Sequence, residues 1–325
     1  MERLSLQLLD ERAEHFNALV RKTPEVDKFC SSTYWTIPAH LAFANHRPVW
    51  IRQSEAGYWA LALGNRFNRG PCLEPLEFVW GSGCPLVGAD TESLLDSFEQ
   101  EVHQLRRQRI PVLLAGLPWG GRLFRGLIRK FHPYMDVRHG SLTRCFRASL
   151  ANGLDGFMSR RSAGFRANVR RASRQAHAAG FQFEYISRLA NRTEMQALYR
   201  RVVAIERKSW KGELGTGLLE PSMFEFYQQM LTRLWASQSL RVLIVRHHDE
   251  DVGFVMGALL DGIYRGLQIS FNQRYRHHAL GNVLQYEIIV RLCQEPCDLY
   301  DLGVGMEYKE RWGEDVFETI LLMLE

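Results

Sequence analysis

Three stretches rich in β-formers, LRVLIVRH (240–247), VGFVMGALLD (252–261) and GIYRGLQISFN (262–272), follow one another with only HDED and DG as punctuation. Connections that short join antiparallel neighbours, because parallel strands need a crossover of a dozen residues or more. The second half of the chain is therefore built on an antiparallel meander. Before it come a strand, FQFEYIS, a helix from Arg192 to about Lys208, the loop WKGELGTGLLEP and a helix from Ser222 to about Ser237. After it come the loop QRYRHHALG, a helix from Asn282 to about Cys293, the strand CDLYDLG and a last strand, VFETILLML. Helices laid against a mostly antiparallel sheet define an α+β fold class.

The front half has a helical pattern from about Asp10 to Lys22 and extended segments in RPVWIRQ and YWALALG. TESLLDSFEQEVHQLRRQR places Leu94, Leu95, Phe98, Val102 and Leu105 on one helical face, and IPVLLAGL follows as a buried strand. A boundary near Leu150 divides the 325 residues into 1–150 and 151–325, each of ordinary domain size. Apolar content of 46% and charged content of 24% are those of a soluble globular protein. Glu2, Arg3, Asp10 and Glu11 interrupt any signal-peptide core, and no uncharged apolar run reaches the length of a membrane span, so a cytoplasmic protein without membrane insertion is expected. The six cysteines are scattered, and Cys293 and Cys297 lack a second pair, which predicts free thiols and no metal site.

One segment departs from this ordinary composition. SRRSAGFRANVRRASRQAHAAG, 159–180, holds six arginines and no acidic residue, in a chain whose formal charge is only +5. Phe165, Val169, Ala172 and Ala176 make one apolar stripe, while Arg166, Arg170, Arg171 and Arg174 fan over the other side. Ser162 is the predicted N-cap and Gly180 the stop. Like charges at i and i+4 cost roughly 0.2–0.5 kcal/mol per pair. The face is either simply solvated or answered by a distant acidic surface or an anionic partner.

The loop NQRYRHHALGNVLQYEII leaves a strand and enters a helix, so the first unpaired N–H groups of that helix offer an anion site. Ala279 and Gly281 allow close backbone approach, and Arg274, Arg276, His277 and His278 surround it with donors; a plain turn is the alternative. RHHALG resembles the Gln/Arg-x-x-Gly-x-Gly/Ala pyrophosphate element of the GNAT acyltransferases, with Arg276 first, Gly281 last and Ala279 in place of the first glycine. ERKSWKGELGTGL (206–218), YDLGVGMEYKERWG (300–313) and RANVRRASR resemble motifs of the CelD-like, or BioF2-like, branch, which is linked to polysaccharide biosynthesis. RPVWIRQ and PLVG are similar to its N-terminal domain, and the layout is similar to FemX-type transferases, which carry two GNAT-like domains and take aminoacyl groups from tRNA.

The resemblance implies two GNAT-like domains, each a mostly antiparallel mixed sheet flanked by helices, the first degenerate, without a cofactor site, and completing the acceptor cleft. It implies acetyl-CoA or another acyl-CoA as co-substrate, held by Arg274, Arg276, His277, His278, Ala279, Leu280, Gly281 and Asn282, with the acyl carbonyl near Ile269, Ser270 and Phe271. Tyr308 would protonate the thiolate, and Glu206 or Asp301 would take the proton of an amine or hydroxyl on a sugar or small-molecule acceptor. Trp210, Lys211 and Lys309 would line the acceptor cleft, and Arg166 and Arg170 would meet phosphate. The bland alternatives are a core tyrosine at 308, a helix-surface carboxylate at 206 and a core tryptophan at 210. Two other functions remain open: an aminoacyl-tRNA-dependent transferase, and a non-catalytic nucleic-acid or partner-binding module on the same scaffold. GVG (303–305) reads as a bulge or tight turn.

Overall fold

A computed structural model describes residues 1–65 and 70–325, which form two compact units: Met1–Arg144 with Phe317–Glu325, and Cys145–Val316. In the first unit the strands Glu2–Leu4, Val49–Ser54, Gly57–Asn65, Pro71–Pro75, Val112–Pro118 and Asp315–Leu324 lie in that order across the sheet. Side chains of Gly57–Asn65 alternate between two cores. Tyr58, Ala60 and Ala62 pack with Leu9, Phe16, Val20 and Ile37, whereas Trp59 and Leu61 pack with Phe98, Leu105, Leu127 and Phe131. A strand buried on both faces reads as a continuous apolar run, which is why YWALALG lacks a polar alternate.

The boundary falls at Arg144/Cys145, earlier than Leu150, and the last strand does not stay with the second half. Thr319–Leu324 pairs antiparallel with Val112–Pro118, and Ile320, Leu322 and Leu324 are buried in the first unit's core. Alternating apolar residues promise a strand but not which sheet will accept it.

The second unit has the strand order Val137–Ser149 (through its last residues), Leu299–Val304, Ile263–Phe271, Glu250–Leu260, Leu240–His247 and Gln182–Ile186. The expected meander is present, with Leu240–His247, Glu250–Leu260 and Ile263–Phe271 successively antiparallel. Leu243, Val245 and Val255 share a core with Val169, Ala176, Leu280, Val283 and Leu284, so the helices Ala163–Ala178 and Leu280–Leu292 cover one face. Alternate residues Val242, Ile244, Phe254 and Met256 are equally buried, on the side of the helices Arg192–Arg207 and Pro221–Ala236. The arginine helix runs as its stripe requires: Ser162 caps it by accepting from Phe165 N–H, Val169 and Ala176 are buried, and Arg170, Arg171 and Arg174 are exposed.

No disulfide forms, and five of the six cysteines are buried. Among the described residues there is no helix long and apolar enough to cross a membrane and no cluster of three or more metal-ligating side chains.

Candidate active site

The strand Ile263–Phe271 pairs along its length with Glu250–Leu260, but meets the parallel strand Leu299–Val304 only at Ile263–Arg265 against Leu299–Asp301. The two parallel strands therefore share an edge at their starts and part beyond Gly266. Register decides which groups line the opening. Asn272 N–H donates to Val252 O and Ser270 lies opposite Phe254, so the even-numbered residues address the meander. Because the N–H and C=O of one strand residue point the same way, Leu267, Ile269 and Phe271 turn theirs to the open edge. Side chains answer two of those carbonyls: Lys211 Nζ donates to Ile269 O at 3.1 Å and the Tyr227 hydroxyl to Leu267 O at 3.5 Å.

Lys211 reaches the edge from a short helix, Trp210–Glu213, in what the sequence shows as an irregular loop. Its ammonium also donates to Gln268 Oε1 at 2.7 Å and lies 3.8 Å from Glu206 Oε1. Burial lowers its pKa, and Glu206 opposes that shift. Glu206 is fully buried, not a helix-surface carboxylate, and accepts from Ser209 Oγ and Leu218 N–H. Gly217 stands over it at φ +70°, where an added Cβ would lie 2.5 Å from Glu206 Oε1. Gly217→Ala is therefore expected to cost about 1–3 kcal/mol through backbone strain and displacement of the carboxylate, read from urea unfolding. An unchanged midpoint would show that the carboxylate moves freely.

Across the opening, Asp301 is 2% exposed. Its Oδ2 lies 3.2 Å from Arg147 Nε and 3.1 Å from an Arg265 terminal nitrogen, while Oδ1 accepts from Gly303 N–H at 2.8 Å. The ladder slips between Asp301 and Gly303, with Gly303 at φ +77°, which is the bulge expected at GVG. That bulge gathers charge: a Cβ at Gly303 would stand 3.6 Å from both Arg265 Nε and Lys309 Nζ. Lys309 Nζ donates to Val304 O at 2.8 Å, and burial, then Arg265 and Lys211, bring its pKa down to about 8. Tyr308 and Trp210 are 42% and 49% exposed, so neither is a core residue. Partial burial raises the Tyr308 phenol above the ordinary tyrosine value.

The anion loop is more regular than the sequence indicates. Gln273–His278 is a 3₁₀ turn, Ala279 is left-handed at φ 52°, and the helix begins at Leu280, not Asn282. Ala279 N–H is taken by Arg276 O and Asn282 N–H by Ala279 O, which narrows the donors at this helix start to Leu280 and Gly281. A Cβ on Gly281 would press 3.3 Å from the Phe271 ring, so the glycine lets strand and helix start close up. Arg274 and Arg276 are exposed beside it. His278 is turned elsewhere, packing edge-on to Phe181 at 5.0 Å and beside His277 at 4.2 Å. Ser270 Oγ is buried and has no hydrogen-bond partner among the described residues.

Lys211 and Lys309 thus lie across the opening from each other with Glu206 and Asp301 behind them, while Ile269 and Phe271 supply the edge that leads to Leu280 and Gly281. Arg166 and Arg170 sit on the separate arginine helix, where Arg166 donates to Arg161 O at 2.6 Å. Sequence reasoning missed Arg147, Arg265, Gln268 and Tyr227. A usable signal was present for Arg265: the full charge inside the strand YRGLQISF cannot be buried without a counter-ion. A concavity of about 470 Å³ lined by Ile186, Ser187, Arg188, Leu189, Trp235 and Leu240 shares none of these residues.

Residues 163–310 match the family model described as an acetyltransferase (GNAT) domain. No curated protein matches the sequence. Among solved structures, a protein of unknown function from Bacteroides thetaiotaomicron VPI-5482 aligns with 100% of this chain and 99% of its own, at TM-score 0.65 and 9% identity. The C-terminal domain of a putative lysylphosphatidylglycerol synthetase from Agrobacterium fabrum aligns over 98% and 92%, at TM-score 0.63 and 14% identity. FemX aligns over 98% and 97%, at TM-score 0.64 and 11% identity. At such identities the likeness speaks for the fold alone. The protein is α+β, a mixed sheet flanked by helices, and shares that fold with these structures. Within the second unit, residues 163–310 are thus similar to a GNAT-type acetyltransferase domain.

Proposed function

We propose that the protein moves an acyl group, acetyl in the simplest case, from acyl-CoA to an amine or hydroxyl of a sugar or small metabolite, as in the CelD-like branch tied to polysaccharide biosynthesis. The carrying observation is the open edge of Leu267–Phe271 running into a helix start where, among the described residues, Leu280 and Gly281 N–H have no backbone partner. Acyl-CoA supplies the activated thioester. Gly281 N–H, with Arg274 and Arg276, holds its diphosphate at a helix start whose first residue, Leu280, is buried beneath it. Ile269 or Phe271 N–H receives the carbonyl oxygen, where charge develops as the acceptor nitrogen adds and the C–S bond breaks.

Two proton positions complete the reaction. Tyr308, kept protonated by its raised pKa, gives its proton to the departing sulfur. Lys309 is the group in the opening poised near neutrality, and as the free amine it takes the acceptor's proton. Glu206 and Asp301, whose oxygens are held by neighbouring donors, fix Lys211 and the two arginines in place. Trp210 forms the apolar rim against which the acceptor lies.

Acetyl-CoA at 100 times its Kd should add about 2.7 kcal/mol to stability, seen as a rise in melting temperature. No rise at millimolar coenzyme would remove this reading. An aminoacyl ester of tRNA presents the same acyl carbon to the same edge. RNA copurifying with the protein, without any coenzyme-induced shift, would transfer the donor role to it.

A further inference from the structure

We propose that the outer face of the helix Ala163–Ala178, carrying Arg166, Arg170, Arg171 and Arg174, is a docking surface for the phosphate backbone of a nucleic-acid strand. Among the described residues none of these four meets a carboxylate, whereas the two arginines just before the helix, Arg160 and Arg161, are both bound to Glu314. Their polar contacts are few and neutral: Arg166 donates to Arg161 O, Arg171 to Asn168 Oδ1, and Arg170 sits beside the Tyr286 hydroxyl of the neighbouring helix. Each guanidinium keeps donors to spare.

The face is rigid and regular. Val169 and Ala176 are buried beneath it and Ser173 donates to Glu287, so the row is held in place before any partner arrives. Arg166, Arg170 and Arg174 repeat every four residues, a rise of about 6 Å per step, which presents evenly spaced forks to an evenly charged strand. Between them Gly164, Ala167 and Ala178 are exposed and small, and no large apolar side chain is exposed on this helix. A bilayer would call for such apolar side chains, whereas a phosphate backbone needs close approach and bidentate donors. The surface lies on a different element from the proposed coenzyme loop, so the inference stands apart from the acyl-donor reading.

The test is fluorescence anisotropy of a labelled single-stranded RNA against potassium chloride concentration. Four phosphate contacts at about 0.7 each predict a slope of log K on log salt near −3, and Arg171→Gln with Arg174→Gln should flatten it by about 1.4. That double variant should melt no lower than the wild type, since crowded like charges are relieved. It should also keep the full acetyl-CoA shift. A folded variant that binds RNA with the wild-type slope overturns the proposal. So does a wild-type protein that ignores RNA, whether or not it binds phosphatidylserine vesicles. Failure here with the coenzyme shift intact leaves the acyltransferase reading standing. Loss of the shift with normal RNA binding removes that reading and keeps this one.

Discussion

Asp301→Ala is expected to cost about 3–5 kcal/mol of folding stability, because it removes the buried carboxylate that two guanidiniums share. Arg265 is 5% exposed, and the same carboxylate also accepts from the bulge at Gly303. Urea unfolding without any ligand measures the effect. The amide replacement separates structure from chemistry: Asp301→Asn should also unfold early, since it returns no negative charge to Arg147 and Arg265. A variant that folds like the wild type yet has lost turnover would make Asp301 the proton acceptor after all.

Lys309→Gln should lower kcat/KM by about 10²–10⁴-fold, the usual contribution of a positioned acid or base. Thiol release from acetyl-CoA, assayed with a panel of amino sugars, gives the rate. In the wild type the rate should climb as pH rises through about 8, where the half-buried ammonium gives up its proton, and the variant should lack that limb. Stability carries the same signature. Below pH 8 both folded and unfolded chains hold the charge, and the folded one bears the cost of burying it. Between about 8 and the ordinary lysine value near 10.4, the unfolded chain binds more protons, so stability must rise with pH. A pH–rate curve unchanged in Lys309→Gln would clear Lys309 of the proton transfer.

Local patterns made much of the second unit readable. The HDED and DG turns leave no room for anything but antiparallel neighbours, and the arginine helix declares its cap, stripe and stop within twenty-odd residues of sequence. Pairings between distant segments were not readable. Arg147 and Asp301, far apart in sequence, are brought together by a ladder, and Glu206 reads as a helix-surface carboxylate until Gly217 and Leu218 fold over it. Ala279 hid the helix start for another reason. A left-handed alanine is uncommon, so the sequence suggested irregular chain where the structure has a 3₁₀ turn and then a helix beginning at Leu280.

The strand Asp315–Leu324 sets a timetable for synthesis. While ribosomes are still making the meander, Val112–Pro118 has an unfilled edge, and the pocket meant for Ile320, Leu322 and Leu324 stays open. The earlier-made unit must therefore wait for the later one to be translated before its own core can close. Until then the nascent chain carries an exposed strand edge, which is open to pairing with other chains.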